Sequence, residues 1–500
     1  MTLATERPDL DAVETFDSLD PGTGEVLQTH PVHTAADVEA AVARARVALA
    51  WWQDQGFDGR RRHLRAWKAT IARRIHELAD LVHRENGKPH PDALLEIALA
   101  VDHIEWAGKH ARKLLSPKRV ASGLMAVNQA STVEYQELGV IGVIGPWNYP
   151  VFTPMGSIAY ALAAGNTVVF KPSEYTPGIG AWLAHAWAMA VPEGADVLQV
   201  VTGLGPTGAA LCRAGVDKIA FTGSGPTGRK VMAACAEGLV PVLMELGGKD
   251  SMIVADDADV AAAADAALWG SMSNAGQTCI GIERVYATDR VYDAFLAELT
   301  DRARSVRPGT DAGASYGPIT MPSQIAIIER HIADAQERGG RVVTGGHVDG
   351  LLVEPTILVD VPESSAAVQE ETFGPTVTVT RVRDVEEAIA KTNATSYGLA
   401  GAVFAGSSKR GVEIARRVRS GMTSVNSVIA FASVPGLPFG GVGQSGFGRI
   451  HGEDGLKEFT RAKAITRQRY ALPVQLLSFS RTPELTNRVA RVVGLVHGRD

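Results

Sequence analysis

Two side chains in this chain have types and settings suited to chemistry on a carbonyl group. Cys279 lies in "SNAGQTCIG" and Asn148 in "GPWNYP"; Glu245 stands between them in the chain, in "MELGGKD". A thiol with small, flexible neighbours is accessible and is a strong intrinsic nucleophile. The other reading, a buried small hydrophobe, suits Cys212 and Cys235 in helical "ALCRAG" and "AACAEG". Asn148 follows a strand end and stands between two aromatics, ahead of a proline. It either caps a turn or aims an amide N–H at a developing oxyanion.

A glycine pattern suited to a pyrophosphate occurs twice, as "VTGLGPTG" (201–208) and "FTGSGPTG" (221–228). Both copies follow an apolar run and open a helical one. The second carries Ser224, whose hydroxyl can reach a phosphate, where the first carries Leu204. The second is therefore the expected grip, with free N–H groups and a positive dipole end at its helix start. The same fingerprint expects an acidic ribose ligand about 20 residues further on, and spacing alone assigns that role to Glu245.

The elements that must position these groups alternate in period. Residues 35–115 are apolar at helical spacing. Strand candidates "GVIGVIG", "NTVVFKP", "VLQVVTG", "KIAFTG" and "VPVLMELGG" then alternate with helices near 156–164, 177–190, 206–214 and 226–238. That alternation predicts a mostly parallel α/β sheet. A second α/β stretch follows: helices near 258–272, 291–306, 384–392 and 408–419, and strands at "RVYA", "RVVTGG" and "PTVTVTRV". The segment 433–448 is Gly- and Pro-rich and reads as an ordered loop.

The motifs "GVIGPWNYP", "GNTVVFKPSE", "FTGSGPTG", "MELGGKDSMIV", "SNAGQTCIG", "EETFGP", "NATSYGLA" and "PFGGVGQSGFGRIHG" occur in the order found in the aldehyde dehydrogenase superfamily, which the sequence resembles over residues 15–470. The resemblance implies an α/β fold with a Rossmann-type NAD-binding domain (1–118 and 139–246) and an α/β catalytic domain (247–447). It adds a small β oligomerisation element (119–138 and 456–474) and leaves a tail at 475–500. It implies that Cys279 is the nucleophile, that Asn148 and the Cys279 backbone N–H hold the thiohemiacetal oxyanion, and that Glu245 is the general base that hydrolyses the thioester. Relatives that pass the acyl group to coenzyme A generally lack this glutamate, so release of a free acid is expected over acyl transfer. Intact Cys279, Asn148 and Glu245 speak against a non-catalytic, binding or structural member.

By the same resemblance Ile144, Trp147, Lys171, Ser173, Glu174, Gly223, Ser224, Gly247, Glu371 and Phe373 bind the dinucleotide. Glu174 takes the ribose hydroxyls and repels a 2′-phosphate, so NAD is expected, with NADP left open. No metal is implied. Tyr149, Phe152, Thr153, Thr278 and Ile280 line the aldehyde pocket. Gly156 replaces a bulky aromatic of several relatives, which predicts room for a wider or longer aldehyde. Near these segments no arginine stands ready to bind a distal carboxylate. A glutamate found after the arginine of "GFGR" in many relatives is Ile450 here, followed by His451, which is expected to be partly exposed. The hairpin around 126–138 and the strand in 456–470 imply a homodimer or homotetramer. The tail carries Arg481, Arg488, Arg491 and Arg499 among apolar residues, suited to a neighbouring subunit or an anionic membrane surface.

Composition narrows the setting. Five hundred residues exceed one core and predict two or three domains. A net charge of −6 gives no footprint for nucleic acid. No apolar run approaches the roughly 18 residues of a membrane span. The polar, acidic start does not resemble a secretory signal, and three cysteines leave one over from any pairing. Both features point to a reducing cytoplasm.

Overall fold

The computed structural model describes residues 14–472 and 477–498. The expectations for 1–13, 473–476 and 499–500, Arg499 among them, lie outside the described residues. The chain divides into two compact units, 1–114 with 137–461 and 115–136 with 462–500.

The first unit holds two large sheets. In one, the strands lie in the order Gly446–Phe447, Val242–Glu245, Lys218–Thr222, Val140–Ile144, Thr167–Lys171 and Leu198–Val200. All neighbours are parallel except the short edge strand, whose Gly446 pairs antiparallel with Glu245. Central strands "VIGVI" and "TVVFK" are buried at every position, as a parallel sheet covered on both faces requires. One cover is helix Phe152–Ala164, buried along its whole length. From strand Val140–Ile144 the chain first winds to one side, then returns to the other. Dinucleotide sites favour such a reversal, beyond the C-terminal ends of the strands.

The second sheet runs Arg341–Thr344, Thr356–Val359, Thr376–Val382, Ile282–Thr288, Asp250–Val254, Gly401–Phe404 and Ser424–Val425. Its core packs helices Val260–Met272 and Asp289–Ala303 through Leu268, Met272, Phe295 and Leu299. The segment 433–448, expected as loop, ends in the edge strand Gly446–Phe447. Pairing decides this, since two residues become a strand only beside Met244 and Glu245.

In the second unit, strands Lys118–Val120, Gln129–Glu137 and Thr460–Gln468 form a three-stranded sheet. Helix Pro483–His497 follows, and none of its described residues is buried.

Candidate active site

Every catalytic and cofactor candidate lines one cavity of about 940 Å³ in the first unit. Ile144, Lys171, Thr222 and Glu245 reach it from the C-terminal ends of four parallel strands. Both glycine motifs contribute. Gly205 and Gly208 come from the first, and the whole turn from Gly223 to Thr227 from the second. Ser224 precedes helix Gly225–Glu237 and makes no side-chain cap bond; its hydroxyl donates to Thr227 Oγ1 at 3.1 Å. The first turn thus has no capping side chain, and Gly225, Pro226 and Thr227 line the cavity. A Cβ at Gly225 would meet nothing closer than Arg229 at 3.8 Å. An open glycine turn at a helix start suits a pyrophosphate, so the residues present fit a dinucleotide.

At one end of the cavity, Lys171 Nζ donates to Pro172 O at 3.1 Å and lies 3.9 Å from Glu174. Burial pulls the Lys171 pKa down, and Glu174 partly restores it. Ser173 Oγ donates to the Glu174 carboxylate at 3.3 Å. Trp147 meets Phe373 edge to face at 5.5 Å.

Cys279 sits between helix Val260–Met272 and strand Ile282–Thr288. The approach is tightly folded: Asn274, Ala275 and Gly276 are all left-handed, at φ 53°, 57° and 70°. A side chain at Gly276 would strike the carbonyl of Gly374, so only glycine permits this crossing. Gln277 locks the turn, donating to Asn274 O at 2.9 Å and accepting from Thr320 N at 2.8 Å. Burial pushes the Cys279 thiol pKa up, and the nearby carboxylates of Glu245, Glu371 and Asp250 add to it.

The Asn148 side chain donates to Gln277 O at 2.9 Å. An amide carries two N–H donors, so one remains for another acceptor. The Asn148 carbonyl accepts from Lys88 Nζ at 2.9 Å and Asn274 Nδ2 at 3.0 Å. Lys88 in turn is paired with Glu96, whose Oε1 accepts from Val151 N at 2.8 Å and Phe152 N at 3.1 Å. The "PWNYP" turn is therefore pinned by a buried ion pair that sequence reasoning missed. The only signal was two charged residues at eight-residue spacing, in "GKPHPDALLEIA".

Glu245 is 2% exposed, and among the described residues its Oε1 has no hydrogen-bond partner. Burial drives its pKa well above the ordinary value; Arg449 opposes this and Glu458 adds to it. Glu371 accepts from Gly248 N at 3.0 Å, and burial raises its pKa to about 8. Gly247 has no side chain because a Cβ would strike the Glu371 carboxylate.

The aldehyde-pocket candidates do not line this cavity. Tyr149 shares a hydrogen bond with Thr278 at 3.0 Å, while Phe152, Thr153 and Ile280 are buried. The room expected at Gly156 is absent. A Cβ there would lie 2.5 Å from His451 Nε2 and 2.9 Å from Ile450 Cδ1. His451, expected to be partly exposed, is 1% exposed and enclosed by His103, Phe152, Tyr160 and Phe439. The volume released by the glycine is taken up by an imidazole from a distant segment. Cys212 and Cys235 are buried, as their helical context predicted.

The aldehyde dehydrogenase family model matches residues 9–465. The chain belongs to the aldehyde dehydrogenase family. A Mycobacterium ulcerans protein carrying the provisional name succinate-semialdehyde dehydrogenase (NADP+) 2 is 37% identical over 92% of this chain and 90% of its own length. Glutarate-semialdehyde dehydrogenase of Pseudomonas aeruginosa is 36% identical over 91% of this chain and 94% of its own. Lactaldehyde dehydrogenase of Escherichia coli superposes with a TM-score of 0.88 at 30% identity, covering 92% of this chain and 96% of its own. The fold is that of aldehyde dehydrogenases, and as a family member the chain is an NAD(P)-dependent oxidoreductase. No helix among the described residues is long and apolar enough to cross a membrane.

Proposed function

We propose that this enzyme oxidises an aldehyde to the free carboxylic acid through a covalent Cys279 intermediate. The observation that carries the reading is the convergence of Cys279, Asn148 and Glu245 with all the cofactor candidates on one cavity. Cys279 Sγ forms the bond to the carbonyl carbon, and the carbonyl oxygen takes the negative charge. The remaining Asn148 N–H and the Cys279 backbone N–H donate to that oxygen, in the arrangement that stabilises an oxyanion. Gly223, Ser224 and Glu174 would hold the adenosine half of a dinucleotide, and Glu371 and Phe373 the nicotinamide half. The Cys279 thioester forms when the thiohemiacetal carbon gives up its hydrogen as hydride; a bound oxidised nicotinamide would supply the acceptor for that hydride and a positive charge beside it. Glu245 takes a proton from the water that hydrolyses the Cys279 thioester, releasing the acid and the thiol. Its raised pKa makes it a stronger base once ionised.

Glu174 favours NAD, because its carboxylate opposes a 2′-phosphate. The relatives named for NADP+ suggest the second reading, supported by Lys171, Arg229 and Lys230 on the same cavity. The relatives named for semialdehyde acids suggest a substrate with a distal carboxylate. Residues 146–166 and 270–282 contain no arginine or lysine, and His451 fills the notch at Gly156. We infer an aldehyde without that carboxylate. We assign the three-stranded sheet of the second unit to subunit contact in a homo-oligomer, and place the enzyme in the cytoplasm.

The test is a panel of neutral and ω-carboxylated aldehydes assayed for kcat/KM with NAD and NADP, alongside Cys279→Ala. Acid formed without coenzyme A or phosphate, with no NADH from Cys279→Ala, is expected. Turnover by Cys279→Ala refutes the nucleophile assignment, and a preference for ω-carboxylated substrates refutes the substrate class.

A further inference from the structure

Phe373 adopts φ 52°, a conformation that bulky residues occupy only when their surroundings enforce it. Its two neighbours in the chain make the case sharper. Glu371 faces the same cavity, and Thr372 between them is 1% exposed.

Every polar group of Thr372 is held by a buried side chain. Its N–H donates to Glu283 Oε2 at 2.8 Å and Oε1 at 3.1 Å, and its carbonyl accepts from Gln324 Nε2 at 2.6 Å. Its hydroxyl meets Lys249 Nζ at 3.1 Å and His331 Nδ1 at 2.9 Å. The Phe373 N–H also donates to Glu283 Oε1, at 3.0 Å. Glu283 itself is 6% exposed, is ion-paired with Lys249, and does not line the cavity. It stands four residues after Cys279, at the start of strand Ile282–Thr288.

We propose that Glu283 is a positioning residue for the nicotinamide half of the dinucleotide. One carboxylate takes two successive N–H groups of the strained turn. That hold aims the Glu371 carboxylate and the Phe373 ring into the cavity, and ties them to the strand that follows the nucleophile. Lys249 pairs with the carboxylate and holds it in place. The inference rests on the reading of the cavity as a dinucleotide site.

The experiment measures dissociation constants of NAD and of ADP, which carries only the adenosine half, by isothermal titration of wild type, Glu283→Ala and the double variant Lys249→Met/Glu283→Gln. Iodoacetamide labelling of Cys279 checks that the site is intact. In Glu283→Ala, NAD is expected to weaken roughly tenfold or more, the equivalent of one charge-assisted hydrogen bond. ADP binding and Cys279 labelling stay at the wild-type level, and the KM for NAD rises more than kcat falls. The double variant keeps an amide oxygen for the two N–H groups and removes the buried cation, so its NAD affinity stays close to wild type. Equal weakening of NAD and ADP, unchanged NAD affinity in Glu283→Ala, or a loss in the double variant as large as in Glu283→Ala overturns the proposal. Failure of wild type to bind either nucleotide instead refutes the dinucleotide reading of the cavity.

Discussion

Replacing Lys88 by methionine tests how Asn148, the proposed oxyanion donor, is aimed. Lys88 and Glu96 are each 1% exposed in their side chains, so the pair is fully desolvated. Methionine matches the stem of lysine but removes three interactions: the pair with Glu96, the 2.9 Å bond to the Asn148 carbonyl and the cation 4.0 Å over the Tyr149 ring. Breaking one partner of a buried pair costs about 3–5 kcal/mol, because the other charge is left uncompensated. Glu96 still accepts from the amides of Val151 and Phe152, which places the expected cost near the lower end, about 3 kcal/mol. Lys88→Met/Glu96→Gln keeps an amide oxygen for those N–H groups without the charge. Groups in one network couple by about 0.5–3 kcal/mol, so the double variant recovers a measurable part of the loss. Removing an oxyanion donor outright costs about 10²–10³ in kcat. The Asn148 carbonyl keeps its bond to Asn274, so misaiming the donor should cost less than that, about tenfold to a hundredfold. Urea unfolding followed by tryptophan fluorescence and steady-state kinetics read the two effects. A Lys88→Met enzyme with an unchanged unfolding midpoint and kcat refutes the reasoning.

Three further outcomes follow from the geometry. Glu245→Gln leaves a burst of NADH equal to the enzyme concentration and slows later turnover by about 10²–10⁴-fold, the range for a positioned general base; a slowed burst with no acyl-enzyme by mass spectrometry contradicts the assignment. Burial and three carboxylates disfavour the Cys279 thiolate, so in the free enzyme its alkylation rate keeps rising with pH up to about pH 10. A plateau near the ordinary thiol value of about 8.5 would show that these groups do not act on it. Gly156→Ala forces a methyl to within 2.5 Å of His451 Nε2 and destabilises the fold by about 1–3 kcal/mol, whereas in a His451→Ala background the same change costs less, because only the 2.9 Å approach to Ile450 Cδ1 remains. Equal costs in both backgrounds, measured by thermal unfolding, would mean that His451 does not fill the notch.

Much of the fold was legible from periodicity. The apolar runs within 140–144, 167–171 and 218–222 became parallel strands buried at every position but Thr222, since a strand covered on both faces is near-continuously apolar. The glycine motif also pointed correctly to a turn on the cavity. Its spacing rule points to Glu245, which ends a strand on the cavity and acts electrostatically on Cys279, while Lys171 ends another strand with Glu174 3.9 Å from it. The two-residue strand Gly446–Phe447 had no local signal, because it exists only through pairing.

The sequence by itself determined the chemistry available: one thiol in a small-residue loop, one asparagine in a proline-bounded turn, one carboxylate at a strand end, and a glycine turn at a helix start. Those are local properties of residue type and backbone preference. Only the tertiary structure decided how these groups are held and what space is left between them. Lys88 and Glu96 pin the Asn148 turn, Glu283 grips the backbone at Thr372 and Phe373, and His451 occupies the notch that Gly156 seemed to open. Each of these joins segments far apart in the chain, and close packing fills any vacated volume with whatever side chain the fold brings there. No local pattern encodes that choice.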